Sequence, residues 1–362
     1  MVKKKSIKPK QPIRNTFRIA LLLFTGVCYL SVLVSPGFFW LFGFLALTIP
    51  ILLAVHFTLL ILAIPQFGRP FFMHLAALAV GFMFINATIS YNRDSEGGEL
   101  KVLSYNVRVF NNYSTLSNEN HSSSKKMIGW TVKNDAQIKC FQEYYNNDKS
   151  EVFNVKNKLI KAGWKYTYEK IVLRDRARAE FGLAIFSKYR IVKKGEIKGK
   201  NGEFLNSIYA DVLKGKDTVR IYCSHLESMS INEENVVNTE RLAKSYKDTG
   251  WRLRSGFVAR SAQVQALVEN IAKCPYKIIL CGDLNELPYS YAYFSLHRKL
   301  ENAFEEAGKG FGFSFNGKLF FLRIDNQFFS EDLRIHDFIT HRDINYSDHF
   351  PLTASYSWEI RD

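Results

Sequence analysis

Acidic residues are distributed very unevenly along this 362-residue chain, and that distribution limits what its first quarter can fold into. Residues 1–91 contain no Asp or Glu, and between residues 17 and 89 the only Lys or Arg residues are Arg18 and Arg69. A helix of about 20 apolar residues crosses a hydrocarbon core of about 30 Å. Breaks at residues 35–37 and 65–70 therefore divide the tract 17–91 into three predicted transmembrane helices, which are 17–34, 38–64 (with a kink expected at Pro50) and 71–89.

The N-terminal tail, residues 1–16, predicts the orientation of this membrane region. It is basic, and basic flanking segments stay in the cytoplasm. Three crossings then give a multi-pass protein of the cell (inner) membrane whose remaining domain is extracytoplasmic, whereas two crossings would leave that domain in the cytoplasm. A cleaved signal peptide is a poorer explanation of the first helix, because two further apolar segments follow and no small-residue cleavage site is evident.

Beyond a short polar linker, residues 92–100, the composition becomes that of a mildly basic soluble domain, residues 101–362. Subtracting the eight basic residues of 1–91 from the chain's 49 Lys and Arg leaves 41, against 34 Asp and Glu, so the net charge of the remainder is +7. This charge suits an anionic substrate but is weak support for nucleic acid. The five cysteines are expected to be free thiols, because three of them lie in predicted buried strands.

Strand and helix patterns alternate through this domain and predict an α/β sandwich with helices outside and polar loops gathered at one sheet edge. Residues 182–187 and 191–197 are predicted to be paired strands, and 205–213 with 218–224 are predicted to form a hairpin. Further short strands are expected at 277–281, 324–329, 337–340 and 351–358.

Six short polar motifs each end a stretch with the composition of a buried strand. In chain order they are Ser104-Tyr105-Asn106, Gln142-Glu143, Ser224-His225-Leu226, Gly282-Asp283-Leu284-Asn285, Arg323-Ile324-Asp325 and Ser347-Asp348-His349. Strand ends of this kind put polar side chains where a sheet meets solvent. A set rich in Asp, Glu, Asn and His, without a Cys pair, predicts an oxygen-ligated site for Mg²⁺ or Mn²⁺ rather than for zinc.

Taken singly, each of these residues has a simpler structural explanation. Asn106 could form a turn at the end of a strand, Glu143 could be a solvated strand end, and a Gly-Asp-x-Asn string is more often a turn. A single strand histidine such as His225 is structural more often than not. The functional interpretation therefore depends on the complete ordered set.

As a set, the motifs resemble those of the endonuclease/exonuclease/phosphatase superfamily, over about residues 101–358. The resemblance implies the DNase I-like fold, a four-layer sandwich of two β-sheets flanked by helices, here in a membrane-anchored bacterial branch that adds a transmembrane helical region. The metal ligands that it implies are Asn106, Glu143 and Asp348. The catalytic residues that it implies are His225, Asp283, Asn285, Asp325 and His349, and the phosphate-binding residues are Asn106, His225, Asn285 and His349.

Two of these roles can be made more specific. By resemblance, Asp283 orients or deprotonates the attacking water. Adjacent residues on a strand point in opposite directions, so Asp348 and His349 are not expected to pair with each other. We expect His349 to pair with Asp325, whose carboxylate would fix the tautomer and stabilise the imidazolium, as in a catalytic triad.

Three other features of the sequence leave alternatives open. At Arg108 the abasic-site repair nucleases of this superfamily carry an acidic residue, and the arginine could bind phosphate or form a salt bridge. Residues 230–256 could form a basic flap over the site or a solvated helix face. Arg260 and Gln263 are expected to serve packing and hydrogen bonding more than substrate binding.

The sequence therefore predicts a membrane-anchored, Mg²⁺- or Mn²⁺-dependent phosphoesterase that hydrolyses phosphodiester or phosphomonoester bonds with activated water and is endonuclease-like by family. Nucleic acid, a phospholipid or sphingomyelin head group and a soluble inositol phosphate all remain open as substrates. Membrane lipid is the expected partner of the N-terminal helices, and no protein partner is evident. The alternative of another class is a catalytically inactive, membrane-tethered binding protein.

Overall fold

The structure, a computed structural model, describes residues 11–92, 95, 97–112, 121–174, 180–199, 201–229 and 238–358. Most of the predicted basic tail, residues 1–10, lies outside this range. Residues 93, 94 and 96 of the predicted linker and residues 230–237 of the possible basic flap also lie outside it.

The apolar tract is mostly helical, but its helices are shorter and more numerous than predicted. Its helices are α1 (Gln11–Ser31), α2 (Leu41–Leu47), α3 (Ile49–Ala63), α4 (Arg69–Val80) and α5 (Phe82–Asn86). The second predicted helix is interrupted at Thr48, next to the expected kink at Pro50. The prediction that the third helix continues to residue 89 is wrong, because Ile89–Tyr91 instead form a strand, β1, that pairs with backbone far along the chain.

Large apolar side chains cover the outside of this helical region. Phe17, Leu23, Ile51 and Leu62 are each at least 65% exposed. A helix that is apolar on every side is typical of a membrane segment. Within the described part of the chain, one helical stretch, Leu41–Ala63, has both the length, 23 residues, and the hydropathy needed to cross a membrane. At about 1.5 Å per residue it spans about 35 Å, slightly more than a hydrocarbon core.

Polar side chains inside the helical region pair with one another. His56 Nδ1 lies 3.0 Å from His74 Nδ1, and the Nε2 atom of His56 lies 2.9 Å from the Thr25 hydroxyl. The Tyr29 hydroxyl donates to the carbonyl of Ala77 at 3.3 Å. Because buried polar groups need partners, these contacts hold α1, α3 and α4 together.

Two six-stranded sheets form the rest of the fold. The strands after β1 are β2 (Leu100–Asn106), β3 (Ile138–Asn146), β4 (Tyr166–Arg174), β5 (Glu180–Ser187), β6 (Arg190–Lys198), β7 (Phe204–Lys214), β8 (Asp217–His225), β9 (Lys277–Asp283), β10 (Glu301–Asn302), β11 (Lys309–Phe311), β12 (Asp325–Phe329), β13 (Leu333–Thr340) and β14 (Leu352–Trp358). The first sheet has the order β13-β14-β2-β3-β5-β4, and the second has β10-β12-β9-β8-β7-β6. Each sheet has one parallel pair at its centre, β2 with β3 and β8 with β9.

The sheets pack face to face, and helices cover both outer faces. The remaining helices are α6 (Ser122–Lys133), α7 (Val155–Lys161), α8 (Thr239–Ile271), α9 (Tyr291–His297) and α10 (Ala303–Ala307). One apolar core, which includes Val102 and Ile221, lies between the sheets. A second core joins the first sheet to α6 and α7, and a third joins the second sheet to α8, α9 and the N-terminal helices. The predicted α/β four-layer sandwich is confirmed.

The pairing of individual strands was predicted less well. β7 and β8 form the expected hairpin. β5 and β6 were expected to pair with each other, but this prediction is wrong, because β5 pairs with β3 and β4 in the first sheet and β6 pairs with β7 in the second. The chain changes sheets between them, and a two-residue connection looks the same in sequence as a hairpin turn.

Helix α8 contains most of residues 230–256, the segment that the sequence left open as a basic flap or a solvated helix face. From Thr239 onward, that segment is the first half of one 33-residue helix. Further along the same helix, Arg260 Nε donates to Glu286 at 2.8 Å and the Gln263 side chain accepts from the Glu227 amide at 2.8 Å. Arg260 is fully buried. The expected packing and hydrogen-bonding role of these two residues therefore agrees with their contacts.

Candidate active site

The polar motifs meet at one edge of the sandwich. Asn106 ends β2 and Glu143 lies in the neighbouring parallel strand, whereas His225 and Asp283 end the parallel pair of the other sheet. Since parallel strands end at the same edge of a sheet, each pair brings its motifs together. The face-to-face packing of the two sheets then brings the pairs near each other.

The amide of Asn106 connects the carboxylates of the two sheets. Its Nδ2 donates to Asp283 at 3.0 Å and lies 3.3 Å from the Glu143 carboxylate. The Nε2 atom of His225 lies 3.6 Å from Asp283 and 3.8 Å from Glu143. Two carboxylates, one amide and one imidazole therefore surround a single small space.

Glu143 is held in an uncommon backbone conformation. Its φ is +48°, and the pairing of β3 with β5 shifts register between Phe141 and Tyr144. Such a bulge redirects a side chain out of its strand, and strained backbone of this kind is found most often at functional sites. The side chain of Glu143 is 33% exposed, whereas that of Asp283 is 1% exposed. The bulge thus presents the Glu143 carboxylate to the cavity.

Asn285 also has a positive φ, +49°, in the turn after β9. Its backbone amide donates to Asp283 Oδ1 at 2.8 Å, which fixes the orientation of that carboxylate. Its side-chain nitrogen donates to the Leu226 carbonyl at 2.9 Å. The turn therefore ties Asp283 to the loop that follows His225.

His349 pairs with Asp325, as expected from the sequence. Their Nδ1 and Oδ2 atoms are 2.8 Å apart, and the Ser314 hydroxyl donates to the same Oδ2 at 2.7 Å. Burial by itself would lower the pKa of His349, but the negative charges of Asp325 and Asp283 outweigh it and raise the pKa to about 10. His349 is thus an imidazolium whose Nε2 lies 3.7 Å from Asp283.

Asp348 forms an ion pair with Arg108. The Nε atom of Arg108 lies 3.1 Å from Asp348 Oδ2, so of the two roles left open for this arginine the structure has the salt bridge.

Arg108 begins a run of four residues with φ between +43° and +56°, a conformation that is costly for residues other than glycine. Asn111 holds the end of this run, because its side-chain amide donates to the Tyr346 carbonyl at 2.6 Å and to Ser123 at 2.9 Å.

Six of the eight predicted site residues line one cavity with a volume of about 580 Å³. They are Glu143, His225, Asp283, Asn285, Asp348 and His349. The other two, Asn106 and Asp325, contact members of this group directly. The cavity therefore contains acidic, amide and imidazole groups from both sheets.

Comparison with protein-family models identifies the family of this chain. A model of the endonuclease/exonuclease/phosphatase family matches residues 103–349, which is more than two thirds of the chain. The chain belongs to the endonuclease/exonuclease/phosphatase family. Residues 13–88 match a model of a domain of unknown function. A comparison with curated proteins found no match.

Solved structures share the family fold. The endonuclease/exonuclease/phosphatase from Beutenbergia cavernae DSM 12333 is 14% identical, with a TM-score of 0.51 over 72% of this chain and 72% of that chain. The human Nocturnin catalytic domain with bound sulfate anion is 16% identical, with a TM-score of 0.51 over 74% and 96%. A family protein from Bacteroides thetaiotaomicron is 17% identical, with a TM-score of 0.51 over 72% and 98%.

One polar residue that contacts the candidate site, Ser314, was not predicted from the sequence. Its hydroxyl donates to Asp325 and accepts from the backbone amides of Ile324 and Asp325 at 3.1 and 3.0 Å. It therefore fixes the carboxylate that holds His349. Ser314 lies in a Phe-Ser-Phe string without a recognisable motif, so no signal in the sequence indicated it.

Proposed function

We propose that this chain is a membrane-anchored phosphoesterase that depends on Mg²⁺ or Mn²⁺ and hydrolyses a phosphodiester or phosphomonoester with water. The observation that supports this most strongly is the convergence of Glu143, Asp283, His225 and His349 around one cavity. Water adds across the phosphoester bond, so that its oxygen bonds to phosphorus while the alcohol leaves with a proton. An inactive binding protein would not need to retain all eight site residues.

The side chains that are present fit a divalent cation with oxygen ligands. Asp283, Asp325 and His349 offer ligand atoms within 4.8 Å of one another, but the Asp325 carboxylate is already hydrogen-bonded to His349 and Ser314. Glu143 is the better ligand, because its partly exposed carboxylate lines the cavity, and Asp348 lines the same cavity.

When bound, such an ion neutralises phosphate charge and acidifies water. Asn106, Glu143 and Asp348 are the residues that we assign to hold it. Asp283 accepts a proton from the attacking water and is kept in position by the Asn106 amide and the Asn285 backbone. His349 donates from Nε2 to a phosphate oxygen, and His225 and Asn285 bind the phosphate from the opposite sheet. Each of these assignments is testable by substitution.

Hydrolysis by the full-length protein in nanodiscs tests the proposed function. With 5 mM Mg²⁺ or Mn²⁺, we expect release of p-nitrophenol from methyl p-nitrophenyl phosphate, and loss of this activity on chelation with EDTA. Restoring the cation should restore the rate. Inactivity toward this substrate and toward a panel of nucleic acid, lipid and nucleotide phosphoesters would favour a binding protein instead.

We infer the topology of the helical region from where the ends of its helices lie. Ser31, at the end of α1, and Phe42, in α2, both border the cavity, whereas Ile64 and Phe67 near the α3–α4 junction are 53% and 67% exposed. The N terminus then lies on the side opposite the soluble domain. We propose three crossings of the cell (inner) membrane and an extracytoplasmic domain.

Reporter fusions test this topology. Alkaline phosphatase fused at the C terminus or after residue 36 should be active, and the same reporter fused after residue 67 should be inactive. Fusions to green fluorescent protein should give the reverse pattern, because that reporter does not become fluorescent when exported unfolded. An active phosphatase at residue 67 together with a fluorescent C-terminal fusion would contradict the proposed topology.

A further inference from the structure

The cavity beside the candidate catalytic residues has a second, apolar end, and the N-terminal helices form one of its walls. Pro36, Phe42, Ala46 and Leu47 line it from the side of α1 and α2. Helix α8 contributes Leu253 and Phe257, and residues 287–291 and 315–324 contribute further apolar and aromatic side chains. The same cavity therefore extends from the carboxylates of the sheets to the apolar region of the chain.

This wall is firmly attached to the soluble domain. A Cβ atom added to Gly43 would come within 2.5 Å of the Phe257 ring, so α2 packs closely against α8. The rings of Phe44 and Phe257 meet edge to face at 5.4 Å, and the Gly37 amide donates to the Ser261 hydroxyl at 3.1 Å. Packing and a hydrogen bond between the N-terminal helices and α8 therefore hold the apolar end of the cavity in place.

The charge of the cavity argues against a polyanionic substrate. Of the described residues that line it, none is Lys or Arg. Proteins that bind nucleic acid neutralise its phosphates with Lys and Arg, and that contribution dominates non-specific binding. A single phosphoester group held by His349, His225 and a cation needs no such basic surface. The cavity volume of about 580 Å³ lies within the usual range for one small ligand.

Exposed aromatic side chains next to the cavity indicate where the apolar part of a substrate would enter. Phe38, in the connection from α1 to α2, is 87% exposed and lies close in sequence to Pro36 and Phe42. Phe320 and Phe321 are 64% and 51% exposed and lie between two cavity residues, Leu319 and Leu322. Aromatic residues are enriched where a protein meets the membrane–water interface.

We propose that the substrate is a phosphoester that carries a long apolar chain, supplied by the membrane. Its phosphoryl group lies among Glu143, His225 and His349, and its chain lies along the apolar cavity wall that α2 and α8 form together. This inference rests on the proposed phosphoesterase function and specifies its substrate class.

A series of substrates with increasing chain length tests the inference. We expect the full-length protein in nanodiscs to hydrolyse octyl p-nitrophenyl phosphate at least about 100-fold more efficiently, in kcat/KM, than methyl p-nitrophenyl phosphate. Full burial of one methylene is worth roughly a fourfold gain in binding, so this value requires only part of the octyl chain to be buried. Equal kcat/KM for the two substrates would leave the phosphoesterase function intact and would overturn the inference.

Two matched variants separate binding in the cavity from partition into the lipid. Leu47→Trp fills the apolar end, and we expect it to lower the ratio of kcat/KM for the octyl substrate to kcat/KM for the methyl substrate at least tenfold. Ile51→Trp makes a similar change on the outer surface of α3, where Ile51 is 65% exposed, and should alter neither rate. An equal loss of octyl activity in both variants would contradict the inference.

A binding experiment tests the same idea without catalysis. A hexadecyl phosphate with a diazirine at the end of its chain should crosslink to residues 36–47 or 253–257, and unlabelled hexadecyl phosphate should prevent the crosslink. Inorganic phosphate at the same concentration should not. This result would support the cavity as a lipid phosphate site even if the protein hydrolysed nothing. Crosslinks confined to outward-facing residues such as Ile51 and Leu62 would overturn the inference.

Discussion

Replacing Glu143 with Gln is expected to lower kcat about a thousandfold without unfolding the protein. The substitution keeps the shape of the side chain and removes its negative charge, which we assign to holding the cation. The loss of charge stabilisation in the transition state is worth several kcal/mol, and about 4 kcal/mol corresponds to a thousandfold. The measurement is kcat on the best phosphodiester, together with isothermal titration of Mg²⁺ or Mn²⁺, which should show weakened binding.

The stability of this variant separates a catalytic role from a structural one. Glu143 and Asp283 share the Asn106 amide, so neutralising Glu143 removes a repulsion between like charges. Tm should therefore stay the same or rise, as is common when an active site loses charge. Glu151→Gln, the same change at an exposed position, is the control and should alter neither kcat nor Tm. A lower Tm with unchanged kcat would contradict the assignment.

Substitutions of Asp325 and His349 are expected to show that the two residues act as one unit. Asp325→Asn removes the charge that keeps His349 protonated, and His349→Gln removes the imidazolium itself. Each should lower kcat about a thousandfold, since residues of hydrogen-bonded catalytic groups have effects of this order. The kcat of the double variant should be within about threefold of the kcat of the slower single variant, because either single change already disables the pair. Steady-state kinetics of the four proteins measures the coupling.

Asp325 and His349 are both buried, so Tm must be measured together with kcat for each variant. Asp325 is 3% exposed, and His349→Gln leaves its charge with the Ser314 hydroxyl as the remaining donor on Oδ2. Breaking a buried ion pair costs about 3–5 kcal/mol, so Tm should fall for this variant more than for Asp325→Asn. His336→Gln is the control, because His336 is also buried and hydrogen-bonds to Ser357 at 2.7 Å outside the cavity. Additive losses in the double variant would indicate that the two side chains act separately.

Local patterns were enough to predict most of the polar side chains that meet at this cavity. Asn106, His225 and Asp283 each end a strand whose apolar residues fill a core, and the period of a strand decides which side chains can face the same way. The pairing of His349 with Asp325 was expected because adjacent side chains on a strand diverge. The strain at Glu143 was not predicted, because a bulge depends on the partner strand.

Contacts between distant parts of the chain account for what the sequence did not indicate. The salt bridge of Arg108 with Asp348 depends on a left-handed turn that is held by Tyr346 and Ser123. In the same way, β5 and β6 separate because each pairs with strands of a different sheet, and a local sequence pattern does not specify that partner.

The sequence by itself determined that an apolar helical region precedes an α/β domain whose strand ends carry acidic, amide and imidazole groups. The tertiary structure decided that the two parts share one cavity, which is lined by Leu47 and Phe257 as well as by Glu143 and His349. The physical reason is that hydrophobic burial is non-directional: apolar surfaces on α2 and α8 gain from contact with any apolar partner. Which surfaces meet is fixed only when the whole chain has packed.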